Sequence, residues 1–193
     1  MRKLIASSWI TADGFIADPS GSIDWVMGDE ELAAYETALI EEADTVMLGR
    51  VTYQQLASYW PQVPANPNAA PWEKAYADKI NALSKVVVSR SLEDAPWAGS
   101  RILRDVTPES VAAAKAGSDR SIVTFGSAAL VQELSRLGLV DEYHLLVHPV
   151  LLGSGKSLFG PLEGRLRLER VRAEPFRSGV TLLVYRAAAP AAG

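Results

Sequence analysis

Two short stretches, "VMLGRVTYQQL" (46–56) and "TFGSAALVQEL" (124–134), share a layout that can bind an anion. In each, an apolar run ends on a glycine and gives way at once to helical spacing. At a helix start the first backbone N–H groups have no partner, and the helix dipole adds partial positive charge. Gly49 and Gly126 let that backbone approach a ligand closely. Arg50 and Thr52 beside the first corner, and Ser127 beside the second, supply a guanidinium and two hydroxyls. On neighbouring strands the two corners would form a matched pair for a diphosphate. "VVVSRS" (86–91) adds Ser89, Arg90 and Ser91 at a strand end. That set suits a phosphate monoester, because guanidinium grips phosphate with a two-pronged fork. Plain turn chemistry with surface arginines accounts for the same residues equally well.

Three other stretches carry weaker signals. "LLGSGKSLF" (151–159) is close to a nucleotide-triphosphate loop, but the glycine required five positions before Gly155 is Val150, so the match is rejected. It reads as a flexible loop, or as one whose Gly153 and Gly155 approach the same ligand. His144 and His148 share one face of a strand and lie about 13 Å apart along it, too far to ligate one metal; no metal site is expected. "GSIDW" places Asp24 beside Trp25, ahead of a helix that opens with Glu30 and Glu31. An aromatic face beside a carboxylate suits a flat nitrogen heterocycle, which stacks on the ring and donates N–H to the acid. A capping acid and a core tryptophan explain the same residues.

The totals narrow the field. A chain of 193 residues fits one domain with a full core. A net charge of −4 argues against a general nucleic-acid or membrane-surface binder, while leaving room for a local basic pocket. The absence of cysteine excludes disulfides, thiolate catalysis and Cys-based metal sites. "MRKLIASSWI" reads as a first strand rather than a signal peptide, and no apolar run approaches a membrane span, so a cytoplasmic location is expected.

Strands are predicted at 2–10, 45–48, 85–90, 101–106, 121–126 and 141–153, with a hairpin formed by 166–176 and 180–186. Helices are predicted at 29–43 (apolar at 32, 35, 39, 40 and 43), at 51–60, from Pro71, from Thr107-Pro108 to Gly117, and at 127–139 behind a Ser127 cap. Residues 61–71 carry four prolines and read as a surface loop, either flap or passive connector. The alternation predicts an α/β fold with a mixed, largely parallel sheet, an antiparallel edge and helices on both faces.

The stretches "TADGFIAD", "GSIDW", "DTVMLGRVTYQ", "VVVSRSL", "TFGSAALVQEL" and "GLVDEYHLLVHPVLLGSGKSLF", in this order, resemble the dihydrofolate-reductase-like family. The likeness is closest to the branch holding the reductase domain of the riboflavin-biosynthesis deaminase–reductase, and covers roughly residues 3–186. It implies a three-layer α/β/α fold, NADPH as hydride donor, and frequent homodimers; a single domain is expected over 1–186, and "AAAPAAG" (187–193) reads as a flexible tail. By position, Gly49, Arg50 and Thr52 correspond to the family's Gly-Arg-x-Thr cofactor motif. Ser89 and Arg90, with Ser91, correspond to the element near the adenosine 2′-phosphate, and Gly126, Ser127 and Ala128 to the second diphosphate loop, where Gly-Gly is more usual. Thr11, Ala12, Asp13 and Gly14 correspond to the Ser-x-Asp-Gly near the nicotinamide.

The substrate side departs from the pattern. Phe15 stands where riboflavin-pathway enzymes carry a basic residue, and the acid that holds a pterin would fall near Glu30 or Glu31. The expectation is an NADPH-dependent reductase of a small heterocyclic or imine-like substrate. Asp13 would line the nicotinamide pocket, and Asp24 or Glu30 would orient the substrate or relay a proton. Rival readings are a pyrimidine reductase of riboflavin synthesis, a non-catalytic nucleotide-binding protein, and a purely structural dimer.

Overall fold

The computed structural model describes residues 2–162 and 164–188. Strand β1 (Leu4–Thr11) leads into a short β2 (Phe15–Ala17), and α1 (Glu30–Glu41) follows. Next come β3 (Ala43–Gly49), α2 (Arg50–Tyr59), a 3-10 segment (Trp60–Ala65) and α3 (Pro71–Ala82). The middle of the chain holds β4 (Ser84–Val88), β5 (Ser100–Leu103), α4 (Pro108–Lys115), β6 (Ser121–Phe125) and α5 (Ala128–Arg136). Strands β7 (Glu142–His148), β8 (Lys156–Ser157), β9 (Leu168–Pro175) and β10 (Thr181–Ala187) complete it. The tail residues 189–193 lie outside the described residues.

Eight strands form one sheet in the order β5-β4-β3-β6-β1-β7-β10-β9. Pairing is parallel from β5 through β7, and β10 runs antiparallel to both of its neighbours. Ile40, Tyr53 and Ile80 set α1, α2 and α3 against Val46, Leu48 and Val87 on one face. On the other, Val111, Leu130 and Leu134 of α4 and α5 pack on Leu4, Met47 and Ile122. The predicted three-layer fold with a mixed, largely parallel sheet is the one that forms.

Local chemistry explains the helix starts. The Asp29 carboxylate accepts from Leu32 N at 2.6 Å, and Thr107 Oγ1 from Ser110 N at 3.1 Å. Pro71 and Pro108 open their helices where a missing N–H costs nothing. Ser127 departs from its predicted role. It occupies the cap position of α5 in a left-handed conformation, with no side-chain cap bond, so the backbone and not the hydroxyl sets that helix start. The segment 61–71 is also more regular than expected, since its first half continues the 3-10 segment.

Two features went unpredicted. Strand β2 pairs antiparallel with β8, setting Phe15 opposite Ser157 and Ala17 opposite Lys156. Gly155 precedes β8, and a Cβ there would overlap the Ala17 carbonyl oxygen and stand 3.3 Å from Phe15 Cδ1. Backbone cannot yield as a side-chain tip can, so Gly155→Ala should lower stability by about 1–3 kcal/mol in denaturant unfolding. The strand "KVVVSR" also begins on a fully buried cation. Lys85 Nζ donates to Asn81 O at 2.6 Å and Ala98 O at 3.1 Å, lying 4.4 Å from the Trp97 ring centroid. Burial pushes its ammonium down to about 8.

Candidate active site

Parallel pairing of β3 with β6 sets Val46 opposite Val123. Three residues further along the chain from each lie Gly49 and Gly126, so the two corners are neighbours at the C-terminal ends of adjacent central strands. They also touch: a Cβ on Gly49 would overlap Ser127 Oγ and stand 3.2 Å from Ser127 Cβ. Gly126 and Ser127 are both left-handed, at φ +52° and +48°. Ser127 is the one described non-glycine residue with positive φ, a conformation that costs an L-residue about 1–2 kcal/mol. Such strain gathers at functional turns. Here it sits at the turn from β6 into α5.

Beside the corners lies a cavity of about 980 Å³, walled by the end of β1, by α1, α2 and α3, by the β6–α5 corner and by β8. Of the residues selected from sequence, Thr52, Gly126, Ser127 and Ala128 are on its walls. Gly49 is buried directly behind Ser127.

The remaining selected residues lie elsewhere. Arg50 is exposed at the start of α2, with Nη1 3.2 Å from Gln54 Oε1. Ser89 is buried, and its hydroxyl accepts from Leu92 N at 2.9 Å and Ser91 N at 3.3 Å. Arg104 Nη1 braces the same turn through the Ser89, Arg90 and Leu92 carbonyls at 3.1, 3.4 and 2.6 Å. That bracing leaves the Arg90 and Ser91 side chains exposed on a fixed turn.

Asp13 anchors a loop. Its carboxylate accepts from Thr11 Oγ1 at 2.5 Å, Gly153 N at 2.7 Å and Leu152 N at 3.1 Å. These bonds, Thr11's foremost, hold its carboxyl below the usual range. Thr11 is fully buried, and its Oγ1 accepts from Phe15 N at 3.0 Å. The Gly153 N–H is thus already committed to Asp13, and Gly155 packs on β2, so the "LLGSGKSLF" segment is tied down at both glycines. Asp24 and Glu30 are exposed and stand outside the cavity walls, while Glu31 binds Arg177.

The cavity has an acid that the sequence reading passed over. Glu36 of α1 lies on its wall, and Trp9 Nε1 donates to Glu36 Oε1 at 2.7 Å. Burial pushes this carboxyl up to about 7, with the Trp9 bond partly opposing. Burial and the nearby Glu36 push the Tyr76 phenol up as well. The signal was present in the pattern: Leu32, Tyr35, Leu39 and Ile40 make the apolar stripe of α1, and position 36 lies inside that stripe. A carboxylate at a core-facing helical position has to find a partner or hold its proton. Six aromatic residues, Trp9, Trp60, Trp72, Tyr76, Phe125 and Phe159, complete the walls.

The two histidines serve the fold. Tyr35 Oη and His144 Nδ1 are 2.5 Å apart, docking α1 on β7, and His144 Nε2 stands 3.4 Å from Glu142 Oε2. His148 Nδ1 accepts from Met27 N at 3.2 Å, and Trp25 meets its ring edge-on. Burial lowers both imidazoles. Among the described residues no group of three or more His, Asp or Glu is placed to hold a metal ion, and no helix is long and apolar enough to cross a membrane.

Comparison with known proteins agrees with this fold. The uncharacterized protein YyaP of Bacillus subtilis strain 168 is 32% identical over 188 residues, covering 95% of this chain and 94% of its own. A solved structure of a putative riboflavin biosynthesis protein from Shewanella sp. PV-4 superposes with a TM-score of 0.77 at 22% identity, covering 97% of this chain and 99% of that one. Dihydrofolate reductase from Enterococcus faecalis, solved with NADP(H), superposes at 0.63 with 16% identity, over 97% of both chains. These superpositions show the dihydrofolate-reductase-like fold. The family model described as the RibD C-terminal domain matches residues 2–182, and on that match the chain belongs to the RibD C-terminal domain family.

Proposed function

We propose that the protein is an NADPH-dependent reductase that transfers a hydride to a small heterocyclic or imine-like substrate. The observation that carries this reading is the contact between the Gly49 and Ser127 corners beside a cavity holding one buried acid. Two helix starts side by side fit a diphosphate, and the exposed guanidiniums of Arg50 and Arg90 fit further phosphate charge. Bound there, NADPH would supply the hydride.

The chain's own residues do the rest. Backbone N–H groups at the starts of α2 and α5 hold the diphosphate, with Thr52 and Ser127 adding hydroxyl hydrogen bonds. Arg90 reads the 2′-phosphate from its braced turn. Asp13 fixes the 151–155 loop against the end of β1. Glu36, held in place by Trp9, keeps a proton near neutral pH and can donate it to the substrate nitrogen while the carbon beside it accepts hydride. This places the acid role on Glu36 rather than on Asp24 or Glu30.

A second reading, 5-amino-6-(5-phosphoribosylamino)uracil reductase, draws on family membership. Phe15 and the absence of arginine from the cavity walls weigh against it. Following NADPH oxidation with that deaminated pyrimidine and with a panel of unphosphorylated cyclic imines and heterocycles separates the two. Turnover at metabolic rates with the pyrimidine alone would favour the second reading, and NADPH binding with no oxidation across either set would defeat both.

Arg90→Ala tests the cofactor assignment. A charged hydrogen bond to phosphate contributes about 1.5–3 kcal/mol. NADPH affinity should therefore fall by roughly ten- to a hundredfold while NADH affinity barely changes. Equal losses for both cofactors would show that Arg90 does not read the 2′-phosphate.

A further inference from the structure

The segment between β2 and α1 is lightly held. No residue from 21 to 30 is buried, and Ile23 and Met27 are 47% and 40% exposed. Its turns are bonded within themselves: Ser22 N donates to Asp18 Oδ1 at 2.8 Å, and Val26 N to Ile23 O at 3.0 Å. At the far end Asp29 caps α1 and accepts from Ser178 N at 3.0 Å. Between these ends Met27 N donates to His148 Nδ1 at 3.2 Å, and Trp25 packs edge-on against the same ring. The segment also walls the cavity, through Gly21 and Ile23. One imidazole thus tethers part of the cavity wall.

That imidazole can hold the tether in only one protonation state. Nδ1 accepts from Met27 only while it carries no proton, so the hydrogen of the neutral ring sits on Nε2. His148 is fully buried, and its Nε2 has no partner among the described residues. A proton added at Nδ1 would set two N–H groups against each other and leave an unpaired cation in the interior. Lifting the segment relieves both faults, because water then reaches the ring. Charged groups on the neighbouring elements are engaged elsewhere or exposed. Asp13 holds the hydroxyl of Thr11, the β1 residue paired with His148, and the backbone of Leu152 and Gly153. Arg177, in the turn whose Gly179 lies against Pro149, pairs with Glu31. Asp29 is bonded as above, while Asp24 and Lys156 are exposed. Burial alone acts on the imidazole, and lowers it.

We propose that His148 is a pH-sensitive latch on the 21–28 segment: neutral, it holds this part of the cavity wall closed, and protonated, it releases it. The closed form takes up its proton below the ordinary 6.5, and the released, hydrated ring near 6.5, so acid favours release. Between those two values the open fraction should rise about tenfold for each unit of falling pH. The latch belongs to the wall itself, so it stands or falls independently of the reductase reading.

The test is amide hydrogen exchange by NMR on the protein alone between about pH 8 and 5. Each protection factor is corrected for the intrinsic exchange rate. Protection of the Met27 amide should fall about tenfold per unit below pH 6.5, while that of Val123, buried in the central sheet, stays constant. In His148→Asn the side-chain oxygen can replace Nδ1 as acceptor and cannot titrate, so Met27 protection should not change with pH. The unaltered protein carries a second readout. Its His148 ring nitrogens should show the Nε2–H tautomer at neutral pH and a titration midpoint below 6.5. Met27 protection that is flat with pH, that falls in parallel with Val123, or that falls equally in His148→Asn overturns the proposal. So does a His148 midpoint at or above 6.5.

Discussion

Glu36→Gln should lower turnover at neutral pH by about a hundredfold or more, the usual contribution of a positioned general acid. The change is nearly isosteric, and glutamine still offers Trp9 Nε1 an acceptor, so the loss reports the proton and not the packing. In the unaltered protein kcat/KM should decline as pH rises through about 7, because the donor is spent in its ionised form. That descending limb should disappear in the variant.

The same substitution has a signature that needs no substrate. The folded-state carboxyl is raised from an ordinary value of 4.5 to about 7, so the folded chain binds more protons than the unfolded chain between those values. Stability attached to Glu36 is then fully present below pH 4.5 and lost as pH rises to 7. Linkage puts the loss at about 3 kcal/mol. Denaturant unfolding across that window should show the decline in the unaltered protein and its attenuation in Glu36→Gln, with the variant the more stable of the two at pH 8. A pH-independent difference would mean that Glu36 is ionised in the fold and cannot serve as the acid.

Gly49→Ala carries the second large effect. The new methyl group would overlap Ser127 Oγ, with Leu130 Cβ 3.9 Å away. Forcing it in should cost about 1–3 kcal/mol and displace the two corners relative to each other, lowering NADPH affinity by a similar factor in free energy. Ser127→Gly removes the obstruction. Alone it should be close to neutral in stability, since relief of the left-handed serine is offset by the greater freedom of glycine in the unfolded chain. In combination it should rescue most of the stability lost in Gly49→Ala, a coupling above about 1 kcal/mol. Additive effects would show that the two corners do not press on each other.

The layered fold was legible because apolar runs and helical spacing alternate cleanly from Asp29 to Leu139. The glycine corners were legible because chemistry and local structure coincide there: a strand ends, a helix begins, and the residue between has no side chain. The pairing of β2 with β8 was not, since strands of three and two residues carry no usable period and their partners are far apart in sequence. The cavity acid was missed for another reason. Glu30 and Glu31 stand at the start of α1, where acidic residues complement the dipole, and they attract notice for that local reason. Glu36 is distinguished only by what packs around it, Trp9 from β1 and Tyr76 from α3. Arg50 and Arg90 show the converse: sequence placed them at strand ends, while their exposure and the bracing by Arg104 emerged only from the tertiary structure.

The most direct measurement is a crystal structure of the protein with NADP+. The diphosphate should accept hydrogen bonds from backbone N–H groups at the starts of α2 and α5, with the nicotinamide ring inside the cavity on the side facing Glu36. A cofactor seated away from Gly49 and Ser127, or a nicotinamide ring that does not enter the cavity, would contradict the account.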